Sequence, residues 1–138
     1  PEMTAYSKRK YGSDKLNFIC SDFMEFTPSA EKKFDLITCI GVLQKTNFDI
    51  SEFLKKTWNL LSSKGVLWID TKNIEWDLFT TGKLTPEANH HWFKPSDILN
   101  KLEQADFKIQ FLSGFIPAED LLVTVNKSHN FVVAAIKN

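Results

Sequence analysis

The chain has 138 residues, 43% of them hydrophobic and 13% aromatic, which is enough apolar material for one folded core. Seventeen basic residues balance seventeen acidic ones, so the sequence lacks the cationic excess of a nucleic-acid binder, and no nucleic-acid partner is expected. No apolar run approaches the ~18 residues of a membrane-spanning helix, and the first residues show no signal-peptide pattern, so no membrane partner is expected either.

In chain order, Pro1 suits the first turn of a helix and Gly12 its end, which predicts a helix over Glu2 to Tyr11. "KLNFICS", Lys15 to Ser21, reads as a short buried strand that runs into the lone carboxylate of Asp22, and "EFTPSAEKK", Glu25 to Lys33, reads as a polar loop. "FDLITCI", Phe34 to Ile40, is too short for a typical helix and rich in β-branched residues, so it reads as a second buried strand, ended by Gly41. The two cysteines, Cys20 and Cys39, fall in these strands and read as small buried side chains in a reducing, cytoplasmic setting.

Asn47 and Asp49 can each cap a helix whose stripe is Ile50, Phe53, Leu54, Trp58 and Leu61, and "SSKG" is expected to stop it with Gly65 just past its end. Val66 to Asp70 then reads as a strand, and Thr71 to Phe93 as a loop with some helix. Pro95 opens a helix carrying Ile98, Leu99, Leu102 and Ala105, followed by strands over Phe107 to Leu112 and Asn130 to Ile136. Strands alternating with helices predict one α/β domain over residues 1–138, with a mostly parallel sheet and an antiparallel pair of strands at its close.

Parallel α/β sheets bind ligands at the carboxyl ends of their strands, which directs attention to Asp22 and Phe23, then Gly41 to Thr46, then Asp70 to Asn73. In this order "FICSDFMEF", "FDLITCIGVLQKT", "LLSSKGVLWIDT", "HHWFKPSDILNKLEQADFKI" and "HNFVVAAIK" resemble the later motifs of the class I S-adenosylmethionine-dependent methyltransferases, over nearly the whole chain. The resemblance implies a Rossmann-like fold, S-adenosylmethionine as cofactor and a small-molecule methyl acceptor. It also implies that the Asp22 carboxylate accepts a hydrogen bond from the adenine amine and that the Phe23 N–H meets a ring nitrogen; as a turn residue, Asp22 would instead bond its own backbone. Ile40, Gly41 and Val42 would pass close to the cofactor, with glycine allowing the backbone to approach. Many relatives have histidine where Lys45 stands, so Lys45 is expected to be solvated.

Methyl transfer from a sulfonium demands alignment and a dry pocket more than covalent catalysis. If the acceptor must lose a proton, His90 and His91 are the candidate bases, amid Trp76, Phe79, Trp92 and Phe93, where relatives build the acceptor pocket. His129 reads as structural or exposed; Asp70 and Thr71 end a strand at the cofactor side, where they can line the pocket, and Asp70 can equally cap local backbone. Two strand cysteines and a His-His pair lack the spacing of zinc ligands, so no metal is expected.

Two parts of the family pattern are absent. The five glycines include no pair close enough for the glycine-rich loop that follows the first strand, and the ribose-binding acid is missing; "PEM" resembles the residues just after that acid. The expectation is that the first βαβ unit, about 30 residues or more, is absent and that the chain is part of a longer protein. In the family the strand order is third, second, first, fourth, fifth, seventh, sixth. Loss of the first two would open the sheet, favouring re-pairing or strand exchange into a homo-oligomer. A methyltransferase is one reading; a non-catalytic binding or scaffold subunit with the same sheet is the other.

Overall fold

A computed structural model describes residues 1–29, 32–47 and 49–138, in two units numbered 1–31 and 32–138. Residues 30 and 31, in the expected polar loop, and residue 48 lie outside the described residues.

The first unit contains α1 (Glu2–Tyr11), with Pro1 before it and Gly12 after it. Glu2 lies in its first turn and Lys8, Arg9 and Lys10 in its last, the arrangement that complements a helix dipole. No residue of α1 is buried. The expected strand over Lys15 to Ser21 does not form: Ser13 and Leu16 bridge across a tight turn, and 17–20 carry no regular structure. Leu16 and Ile19 are 56% and 59% exposed, and Cys20 is exposed rather than buried. A strand is defined by the neighbour that takes its N–H and C=O groups, and among the described residues this segment has no such neighbour.

The second unit is a five-stranded sheet. Its strands are β1 (Phe34–Ile40), β2 (Leu61–Lys72), β3 (Phe107–Ile116), β4 (Leu121–Val123) and β5 (Asn130–Lys137), in the order β1-β2-β5-β3-β4. The first four positions of that order reproduce the expected fourth, fifth, seventh and sixth strands. β1 and β2 pair in parallel, and β5 runs antiparallel to both β2 and β3, so the sheet is mixed. β4 was not foreseen; it pairs antiparallel with β3 through only three residues at the far edge.

α2 (Ile50–Leu60) starts where its cap predicts, because Asp49 Oδ1 accepts from the N–H groups of Ser51 and Glu52 at 2.6 and 3.1 Å. Its end corrects the sequence reading. Leu61 is already extended, and β2 begins there rather than at Val66. Lys64, at φ 63°, takes the left-handed turn expected near Gly65. Gly65 answers a different need: a Cβ there would stand 3.0 Å from the carbonyls of Phe34 and Ser62, where the β1–β2 register shifts.

α4 (Pro95–Gln104) has the predicted bounds, with α3 (Asp77–Thr80) a single turn before it. α2 and α4 pack against each other and against β2 and β3. Phe53, Leu54, Ile98 and Leu102 are buried there, as are the alternate sheet residues Leu67, Ile69, Val133 and Ala135. β1 contradicts its expected burial. Of its seven residues only Cys39 is buried, because β1 is an edge strand with β2 on one side alone.

Candidate functional site

β1 and β2 are the parallel pair, and their carboxyl ends build the site. Ile40 stands opposite Asp70 in the register, and the chain leaves β1 through Gly41 at φ 66°. A side chain is disfavoured in that left-handed conformation, which lets the backbone fold directly into the turn Leu43–Lys45, closed by Lys45 N–H donating to Val42 O at 2.9 Å. Leu43 and Gln44 are buried, whereas Ile40 and Val42 remain 63% and 41% exposed, and Lys45 is exposed as expected. The result is a small apolar lip on a turn anchored from below.

The anchor is Asp70. It is only 5% exposed, faces the Gly41 N–H, and accepts a long hydrogen bond of 3.5 Å from the Asn130 amide nitrogen. Burial pushes its carboxyl above the ordinary carboxylate range, opposed by those contacts and by Lys72. Asp70 also lines a cavity of about 170 Å³ with Ile40, Trp68, Phe115, Leu122 and Val132. Asp70 thus faces local backbone, one of the two roles its sequence position suggested, and also lines this hollow.

Asp22 and Phe23 belong to the first unit, and Ile40, Gly41 and Val42 to the second. Asp22 is exposed and its Oδ1 accepts from the Met24 N–H at 2.7 Å, the turn arrangement foreseen as its alternative role. An ionised carboxylate accepting one such bond keeps acceptor capacity for a ligand amine. Phe23 is half-buried.

Beyond β2, the fully buried Asn73 clamps the chain. Its amide nitrogen donates to Val125 O at 2.7 Å and Ser128 O at 3.0 Å, and its Oδ1 accepts from the Glu75 N–H at 2.9 Å. Around that clamp the aromatic side chains meet edge to face: Trp76 with Phe79 at 5.0 Å and Phe79 with Trp92 at 4.8 Å between centroids. The two candidate bases part company here. His90 is half-buried with Nδ1 2.8 Å from Glu87 Oε2, while His91 is exposed, with Nε2 2.8 Å from Asn47 Oδ1. The His91 backbone N–H donates to Gln44 O at 3.0 Å, which ties this segment to the turn after Gly41. His129 is half-buried against Trp76, and burial first, then the charge of Lys72, holds its imidazole below the usual histidine range.

Sequence reasoning passed over Lys72, whose ammonium lies 5.6 Å from the Trp92 ring centroid. Its position in "DTKN", directly after a strand ending in Asp70, was the available signal. Among the described residues no group of three histidine, cysteine or acidic side chains is placed to hold a metal ion. None of the described helices is long and apolar enough to cross a membrane.

The sequence profile of the family described as "Methyltransferase domain" matches residues 1–69. The ubiquinone biosynthesis O-methyltransferase of Pelagibacter ubique is 27% identical over 122 residues, and the match covers 78% of this chain and 50% of that protein. The chain thus spans about half the length of that curated relative. Among solved structures, an S-adenosylmethionine-dependent methyltransferase from Clostridium acetobutylicum superposes with a TM-score of 0.72 at 15% identity, covering 99% of this chain and 72% of the other. The magnesium protoporphyrin IX methyltransferase of Synechocystis, solved with bound S-adenosylhomocysteine, gives 0.64 at 16% identity over 99% and 57%.

Proposed function

The chain belongs to the class I S-adenosylmethionine-dependent methyltransferases, and from that premise we propose that the whole protein methylates a small-molecule acceptor in the cytoplasm. The observation that carries this reading is the Gly41 turn: an exposed lip of Ile40, Gly41 and Val42 at the carboxyl end of the parallel pair, its backbone held by buried Asp70. That lip fits the flat, largely apolar edge of an adenosyl group. When bound, S-adenosylmethionine supplies a methyl group on a positively charged sulfur.

The chain's own residues have distinct parts. Asp22 accepts from the adenine amine and the Phe23 N–H donates to the ring, while Ile40 and Val42 exclude water from the adenosyl face and Gly41 lets the backbone come close. His90 and His91 are the candidate bases for the acceptor proton. His91 contacts Asn47 through Nε2 and His90 contacts Glu87 through Nδ1, so each has its other ring nitrogen for that proton.

The alternative reading is a non-catalytic binding or scaffold subunit with the same sheet. Calorimetric titration of S-adenosylhomocysteine into the whole protein separates the two. Binding that weakens about tenfold in Asp22→Ala, the scale of one hydrogen bond to a charged group, is the expected result. Absence of binding to the unaltered protein would reject the methyltransferase reading in favour of the scaffold.

A further inference from the structure

Lys72 is a cation in search of an oxygen. It ends β2 two residues beyond Asp70 on the same face of the sheet, about 7 Å further toward the rim where α/β sheets take their ligands. It is half-buried, yet no described carboxylate pairs with it and no described acceptor takes its N–H groups. The acids that face it are engaged elsewhere, Asp70 with the Gly41 N–H and Asn130, Glu87 with His90. Burial lowers the Lys72 pKa, Lys45 pushes the same way, and Glu87 and Asp70 oppose them; His129 is the remaining titratable group within its field. A partly desolvated ammonium without an anionic partner is costly unless a ligand completes it.

What lies beside it narrows the ligand. Among the described residues the Trp92 ring is the aromatic surface under the ammonium, and it is fixed edge-on by Phe79 and held by its own indole N–H, which donates to Glu87 O at 2.9 Å. A rigid ring face next to a cation suits a flat aromatic molecule bearing an oxygen anion. An alkyl alcohol ionises too weakly for one cation to help, whereas a phenol, with a pKa of about 10, falls toward neutrality when an opposite charge lowers it by ~1–3 units.

We propose that Lys72 is the oxyanion-binding residue of the acceptor site and that the acceptor is a phenol, bound as its phenolate against Trp92. This deepens the methyl-transfer reading and rests on it. On binding, the phenolic O–H bond breaks, the electron pair stays on oxygen and the proton passes to the candidate base, His90 or His91. Lys72 keeps its own proton and donates N–H to the new anion. The phenolate is thereby held ionised at the pH where a free phenol is not.

The test is spectroscopic and does not depend on turnover. Para-nitrophenol changes colour on ionisation, so its acidity can be read while bound to the whole protein. Bound to the unaltered protein, its acidity constant should rise about tenfold over that of the free phenol, and Lys72→Arg should keep most of the shift. Lys72→Met, checked for an unchanged circular dichroism spectrum and Tm, should lose the shift and bind the phenolate about tenfold more weakly. Phenolate binding should also fall as pH rises through the lowered Lys72 pKa. Equal acidity of the bound phenol in the unaltered protein and Lys72→Met, or no binding of para-nitrophenol at all, would overturn the proposal. Titration of S-adenosylhomocysteine in the same samples keeps the two readings apart. Cofactor binding without a phenol shift rejects the role of Lys72, while a phenol shift without cofactor binding upholds it and rejects only the cofactor assignment.

Discussion

β1, "FDLITCI", and β5, "NFVVAAIK", are both strongly apolar, yet β5 is buried without a break from Asn130 to Ala135 while β1 buries Cys39 alone. β5 lies between β2 and β3, so both of its edges are hydrogen-bonded and its neighbours' side chains crowd it from either side. β1 is bonded along one edge to β2 and leaves Leu36 and Ile40 largely exposed. Hydrophobicity gives a strand its preference for the interior, but the number of neighbours decides whether there is an interior to enter.

The comparison is most directly broken by truncating one side chain in each strand. Phe131→Ala in β5 should cost about 3–5 kcal/mol of stability by leaving a cavity, whereas Leu36→Ala in β1 should cost less than about 1 kcal/mol, both read from denaturant unfolding of the protein. A comparable loss at Leu36 would mean that β1 is covered in solution. A smaller effect, about 1 kcal/mol, is expected for Gly41→Ala at the end of β1, where the positive φ rather than burial is responsible. If this exposed turn tolerates alanine without loss, the left-handed geometry is not required there.

The smallest effect belongs to pH and sharpens the contrast on the side of β5. His129, immediately before β5, has a folded-state pKa held below the ordinary histidine value of about 6.5 by burial. The unfolded chain therefore binds this proton more readily. Its contribution to stability is full above pH ~6.5 and is lost as pH falls from there through the lowered value. Tm should be lower at pH 5 than at pH 8, and His129→Phe should narrow that difference. An unchanged difference would show that His129 is not the group being protonated.

Much of the local structure was legible because its cause is local. Pro1 and Pro95 begin α1 and α4 because proline presets the first turn, and Asp49 begins α2 because its carboxylate reaches two free N–H groups within three residues. Gly41 was legible for the same reason, since a backbone that must turn left at a strand end selects glycine. The end of α2 was misread because the chain passes straight into β2, and the glycine that looked like a helix stop is there to let the carbonyls of Phe34 and Ser62 approach.

The sequence by itself determined the helices, the strand-forming segments from Phe34 onward, the family resemblance and the residues that flank the strand ends, since capping, period and turn chemistry act over a few positions. Tertiary structure alone decided that Lys15 to Ser21 forms no strand, that β1 is an edge and that β4 exists, because each depends on a partner far along the chain or on the lack of one. It likewise decided the site. Asp70 reaches the Gly41 N–H only because β1 and β2 are in parallel register, and Lys72 meets Trp92 only because Phe93 N–H bonds back to Lys72 O at 3.0 Å, so twenty residues of intervening chain return to the strand they left.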